Sequence, residues 1–231
     1  MTEFQKRLDN LYLDYYYAHG LGERPYQHTE PWLTFFGAVA DRIVTEIGPG
    51  TVLDVGCAMG MLVGALRKRG VRAFGFDISE YALQQSQCKE FVWKGSASDP
   101  EAYRDDFDLV VCIEVLEHLL PPEAQNAIGL MAQHSTRVLF SSNPGDYREP
   151  THINTREAGY WMREFARYGM FRAFDFDAGF VSHWAVLLQK EDKSAQAVVY
   201  QYEQALYQLQ RQNHEQRAAM LRLQEELNAS T

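Results

Sequence analysis

Between Thr51 and Gln189 the chain alternates repeatedly between short apolar runs and segments of helical spacing. The runs are TVLDVG (51–56), VRAFGFD (71–77), FVW (91–93), FDLVVCI (107–113), TRVLFSS (136–142), FRAFDFD (171–177) and HWAVLLQ (183–189). Runs this short and this rich in β-branched and aromatic residues read as strands. The fourth is continuous and apolar, as a central parallel strand covered on both faces should be. Between them lie MLVGALRKRG, closed by Gly70; SEYALQQSQ, which Ser79 can cap; PPEAQNAIGLMAQH, which starts on prolines; and NTREAGYWMREFARYG, which ends at Gly169. Strand alternating with helix predicts a doubly wound, mostly parallel seven-stranded α/β sheet. Such a sheet takes its ligand outside the carboxyl ends of its strands.

Two flanking segments frame this domain of residues 51–190. Residues 1–50 read as a helical, aromatic cap, with Leu33, Phe36, Ala40, Ile43, Val44 and Ile47 at helical spacing before the break at Gly48–Gly50. Residues 195–231 carry Tyr202, Leu206, Leu209, Asn213, Gln216, Met220, Leu223 and Leu227 at alternating intervals of four and three. That is a heptad seam, and it predicts a coiled-coil helix and a homo-oligomer formed through it. The competing reading is one amphipathic helix lying on the domain. A chain with this tail also reads as one domain of a longer polypeptide.

Composition excludes some partners. A net charge of −9 argues against a chain whose main work is gripping nucleic-acid phosphates. No apolar run is long enough for a membrane span, and the N-terminus has no leader-like apolar stretch. The three cysteines, Cys57, Cys88 and Cys112, have neither disulfide-framework nor zinc spacing. A reducing, cytoplasmic location is expected.

The informative pair is VLDVGCAMG followed by FGFD. Gly56 and Gly60 let the backbone pass close to a ligand after the first strand, and Asp77, at the end of the second, is placed to accept hydrogen bonds from ribose hydroxyls. A dinucleotide-binding turn would instead show G-x-G-x-x-G. This pattern resembles motif I of the class I S-adenosylmethionine-dependent methyltransferases, D-x-G-x-G-x-G, with Asp54, Gly56 and Gly60 matching and Ala58 replacing the middle glycine. The resemblance implies a Rossmann-like methyltransferase fold with S-adenosylmethionine held by Asp54, Gly56, Cys57, Ala58, Gly60, Asp77, Ile78, Ser96, Ala97 and Cys112. Ser96 stands where the family usually has an acidic residue near the adenine, and Asp99 is the candidate to supply that contact.

CIEVLEHLLPPE follows at the carboxyl end of the fourth strand. If a turn of helix starts there, Glu114, Glu117 and His118 share a face, and His152 in the loop after the fifth strand can swing toward the same point. Two packed carboxylates repel unless a positive charge sits between them, so a divalent cation such as Mg2+ or Mn2+ on Glu114, Glu117, His118 and His152 is one solution. E-x-x-E-H with a distant His resembles the metal-binding pattern of small-RNA 3′-end 2′-O-methyltransferases and, in variant form, of ubiquinone-pathway O-methyltransferases. The resemblance implies an acceptor with vicinal hydroxyls. Without a metal, His152 reads as an unassisted general base, with His118 and Glu114 completing the catalytic candidates; a purely structural role for the set is the third reading.

Over most of residues 30–190 the chain also resembles bacterial methyltransferases of cell-surface glycan assembly, which implies polysaccharide biosynthesis and a sugar hydroxyl as acceptor. Tyr12, Tyr15, Tyr16, Tyr17, Tyr26 and Trp32, with Tyr147 and Trp161 beside His152, suit stacking on a sugar face or ordinary core packing; Arg148 and His28 suit an acidic group on the acceptor. The alternatives are RNA 3′-end ribose methylation, a small-molecule acceptor, and a coiled-coil scaffold with a vestigial cofactor fold.

Overall fold

The structure is a computed structural model that describes residues 14–19, 25–147 and 149–229. Tyr12 and Arg148 lie outside these, as does the Tyr15 side chain. The chain forms two compact units, residues 1–191 and 192–231.

In the first unit, α1 (Asp14–His19) and α2 (Glu30–Arg42) precede the sheet, and a π turn over Ile43–Ile47 closes α2 at Gly48. There follow β1 (Thr51–Val55), α3 (Met61–Arg67), β2 (Arg72–Asp77), α4 (Glu80–Gln85), β3 (Val92–Lys94) and β4 (Leu109–Ile113). Then come α5 (Pro121–His134), β5 (Arg137–Ser141), α6 (Ala158–Ala166), β6 (Met170–Arg172) and β7 (Val186–Lys190). The seven strands are ordered β3-β2-β1-β4-β5-β7-β6, and only β7 runs antiparallel to its neighbours. The expected fold class is therefore the observed one, and the seam at which the strand order reverses lies between β1 and β4.

Both faces of the sheet are covered. One core packs Val52, Val111, Leu139 and Leu187 under α2 and α3; the other packs Leu53, Val55, Val110 and Val138 under α5 and α6. The cap segment belongs to the first of these cores through Phe36, Val39, Ala40 and Ile43. Register brings the strand ends into line: Asp54 pairs with Gly75, Val55 with Cys112, Asp77 with Lys94 and Ile113 with Ser141. Chemistry carried just beyond these residues faces a common edge.

Local pattern overextends three elements. The helix expected from Asn154 starts at Ala158, because Asn154 is buried and its N–H donates to the Glu117 carbonyl at 2.9 Å. The strand expected over 171–177 stops at Arg172, after which residues 173–185 form turns. Trp184, expected in the last strand, precedes it because its indole is committed elsewhere (below). Trp161, expected beside His152, is a core residue 1% exposed, its ring 5.8 Å from that of Phe140.

The second unit is a 35-residue helix, α7 (Ala195–Ala229). Its seam residues Tyr202, Leu206, Leu209, Met220, Leu223 and Leu227 are all exposed. Among the described residues no helix is long and apolar enough to cross a membrane.

Candidate active site

A cavity of about 510 Å3 opens at the carboxyl edge of β1 and β4, where an open α/β sheet places its ligands. Asp54, Gly56, Cys57 and Ala58 line it from the turn after β1, Asp77 and Ile78 from the end of β2, and Ser96 and Ala97 from the loop after β3. Ile113, Glu114 and His118 line it beyond β4, with Ser141 and Asn143 beyond β5. Gly60, Cys112, Glu117 and His152 are not lining residues.

The β1–α3 turn is built by positive backbone angles. Gly56 has φ +75°, and a Cβ there would stand 2.4 Å from Cγ2 of Val115. Gly60 has φ +69°, and a Cβ there would meet Ser86 Oγ at 2.9 Å. Ala58 adopts the left-handed region at φ 46° despite its methyl group. The middle position of the motif therefore keeps the glycine conformation without the glycine.

Asp77 locks this turn. Its Oδ2 accepts from Ala58 N and its Oδ1 from Ser79 N, both at 2.8 Å. The backbone N–H of Ile78 also bonds to this carboxylate. Burial raises its pKa, against the lowering effect of the backbone donors. Asp54 is pushed up to about 7 by burial and then by the nearby charge of Asp77. Asp99 is exposed and caps the short turn at Pro100–Ala102, accepting from Glu101 N at 3.0 Å, so it does not line the cavity. Ser96 bonds instead to Ser98, Oγ to Oγ at 3.1 Å.

Beyond β4 the geometry departs from one shared helical face. Glu114 has φ 54°, an uncommon conformation for a residue with a side chain. The single 3-10 turn begins only at Leu116 and ends at His118. Glu114 and His118 consequently face the cavity, whereas Glu117 is fully buried beneath. Glu114 Oε1 accepts from Ser141 Oγ at 2.6 Å and from the Trp184 indole at 2.8 Å; Oε2 accepts from Asn143 N at 2.9 Å. Burial and then the charge of Glu114 raise the Glu117 carboxyl well above its usual range.

His118 contacts the Thr151 carbonyl through Nδ1 at 3.2 Å, and burial, with His152 nearby, lowers its pKa to about 4. Because a carbonyl only accepts, that contact assigns the proton to Nδ1 and leaves Nε2 as the accepting nitrogen. His152 contacts the Asp146 carbonyl through Nδ1 at 2.9 Å and meets the His118 ring edge-on at 4.6 Å.

These donors do not fit a divalent cation. Three N–H and O–H donors already point at the Glu114 carboxylate, two at Oε1 and one at Oε2, and Glu117 is buried without lining the cavity. Among the described residues no group of three or more His, Cys, Asp and Glu could hold a metal ion. The cysteines are free, and burial pushes the Cys57 and Cys112 thiols up, which keeps them protonated.

The remaining wall is aromatic. Tyr16, Tyr17, Tyr26, Trp32, Phe35 and Phe36 line it. Trp32 is fixed by an indole bond to Pro25 O at 2.8 Å and by the Tyr26 ring at 4.9 Å. Burial raises the Tyr17 and Tyr26 phenols, helped by Asp77 and Asp54 respectively, so both stay neutral. Tyr147 is exposed, and neither it nor His28 lines the cavity. Sequence reasoning missed Ser141, Asn143 and Trp184, whose roles depend on contacts across 27 to 70 residues of chain.

Comparison with known proteins bears on this architecture. A family model described as a methyltransferase domain matches residues 27–177. The ubiquinone biosynthesis O-methyltransferase of Alkalilimnicola ehrlichii is 32% identical over 108 residues, 42% of this chain and 44% of that protein. The matched region thus spans less than half the length of this relative. The S-adenosylmethionine-bound magnesium protoporphyrin IX methyltransferase of Synechocystis superposes with a TM-score of 0.59 at 18% identity, covering 81% of this chain and 96% of the other. The S-adenosylmethionine-bound amino pentose methyltransferase of calicheamicin biosynthesis from Micromonospora echinaspora gives 0.56 at 16% identity, covering 79% and 99%. At these identities the two structures establish a shared fold.

Proposed function

The chain belongs to the methyltransferase-domain family, and from that premise we propose that it transfers a methyl group from S-adenosylmethionine to a hydroxyl of a small, uncharged acceptor, a sugar in the first instance. The observation that carries this reading is the two-sided cavity. One end offers Asp54, Ala58, Asp77 and Ser96 around a tight turn; the other offers rings and His118.

Electrostatics support it. Carboxyl groups of Asp54, Asp77 and Glu114 line the cavity, and among the described residues no lysine or arginine does. Such a site attracts a cationic ligand and disfavours a phosphate-bearing one. That suits a sulfonium cofactor and an uncharged acceptor, and it weighs, with the net charge of −9, against RNA. Aromatic faces suit a sugar ring, and one of the fold relatives is an amino pentose methyltransferase.

S-adenosylmethionine supplies, when bound, a methyl group on a sulfonium leaving group. Asp77 would accept hydrogen bonds from the ribose, and Gly56 and Ala58 would let the backbone approach the ligand closely. His118 Nε2 would accept the proton of the acceptor hydroxyl. Glu114 holds the edge of β4, and His152 buttresses the His118 ring. In the second unit, the exposed seam of α7 supports pairing with a second copy.

A panel of sugars, catechols and short RNAs incubated with tritiated cofactor tests the reading. It predicts label in the sugars with none in RNA; label in RNA alone overturns the acceptor class.

A further inference from the structure

Residues 173–185 join β6 to β7 and supply Val181, Ser182 and Trp184 to the cavity wall. The backbone hydrogen bonds described within this segment are local turns, such as Val181 N to Ala178 O and Ala185 N to Ser182 O, both at 3.0 Å. Ala173 N also donates to Leu187 O of β7 at 2.9 Å, which ties the start of the segment to the sheet; no such backbone bond is described for Val181–Trp184. Ala178 and Ala185 are buried, and the Arg42 guanidinium lies 4.8 Å from the centre of the Phe180 ring.

Trp184 reaches out of the segment. Its indole N–H donates to Glu114 Oε1, across 70 residues of chain, at 2.8 Å. Glu114 is in turn held by Ser141 Oγ and Asn143 N, and its own N–H donates to Ser141 O at 3.0 Å. Bonds from three directions over-determine a residue at φ 54°, which is how a strained conformation persists. Ser182, two residues before Trp184, has a buried hydroxyl with no protein partner among the described residues.

We infer that Trp184 is a positioning residue: its indole bond to Glu114 clasps the 173–185 segment against the ends of β4 and β5, forming the acceptor-side wall of the cavity. The inference rests on the methyl-transfer reading for the ligand class, but the clasp itself is a property of this chain.

Amide hydrogen exchange on the full chain tests it, with S-adenosylhomocysteine calorimetry alongside. Trp184→Phe keeps the ring and loses the N–H. It should speed exchange at Val181–Trp184 by tenfold or more and leave Val110–Cys112 in β4 within twofold of wild type. A general loss of stability would move both. Glu114→Ala should produce the same local change, and the double variant should add nothing to it. Exchange at Val181–Trp184 that stays at the wild-type rate in Trp184→Phe, or effects that add in the double variant, would overturn the clasp. Failure of the wild type to bind S-adenosylhomocysteine would instead overturn the cofactor reading, leaving the exchange result to stand or fall by itself.

Discussion

Asp77 reaches back across the β1–α3 turn, its Oδ2 accepting a 2.8 Å hydrogen bond from the backbone N–H of Ala58. The bond holds Ala58 at φ 46°, in a region that an alanine enters at a cost.

Ala58→Gly removes that cost and keeps the bond. The relief is partly offset by the greater freedom of glycine in the unfolded chain, so the net gain should be about 0.5 to 1 kcal/mol. Urea denaturation measures it. A loss of stability would mean that the Ala58 methyl makes contacts worth more than the strain.

The dependence of stability on pH should have two opposed limbs. His118 has a pKa lowered to about 4, so its contribution is complete above its unfolded value near 6.5 and is lost as pH falls toward 4. Asp54 is raised to about 7, so its contribution is complete below its unfolded value near 4 and is lost as pH rises through 7. His118→Asn should flatten the acid limb between pH 6.5 and 4, and Asp54→Asn the limb between 4 and 7. Thermal melts across this range in the three proteins check both signs.

How far the sequence discloses such a site depends on the span of its contacts. The β1 turn and Asp77 were legible because their chemistry is local, a strand end and a tight turn within 24 residues. The doubly wound, mostly parallel sheet followed from the alternation of strand and helix. Trp184 was not legible: HWAVLLQ has the composition of a strand, and nothing local reveals that its indole serves a carboxylate on β4. The shared face of Glu114, Glu117 and His118 assumed an α-helical start, which the positive φ of Glu114 prevents. Asn154 was read as helical because a buried bond to Glu117 O leaves no mark on spacing.

Because N–H and O–H donors occupy the Glu114 carboxylate, added divalent ions should find no site there. Melting temperatures in 1 mM MnCl2 and in 1 mM EDTA should agree to within about 1 °C. A rise with Mn2+ that Glu114→Ala abolishes would restore the metal reading.

Asn213 stands in an otherwise largely apolar seam on α7, where a polar residue sets register at the expense of stability. Light scattering should find a dimer for the full chain and a monomer for residues 1–191. Asn213→Leu should tighten association or change the number of copies. A monomeric full chain at 100 μM would exclude pairing through this helix.

The central claim is that the turn after β1 and Asp77 together hold S-adenosylmethionine. Calorimetric titration of the wild type and of Asp77→Ala with S-adenosylhomocysteine tests it directly. Loss of charge-assisted bonds to a ribose is worth about 1.5 to 3 kcal/mol, roughly a 10- to 150-fold weakening. The account predicts saturable one-site binding to the wild type and a loss of that size in Asp77→Ala. No binding to the wild type, or equal affinity in the two proteins, would contradict it.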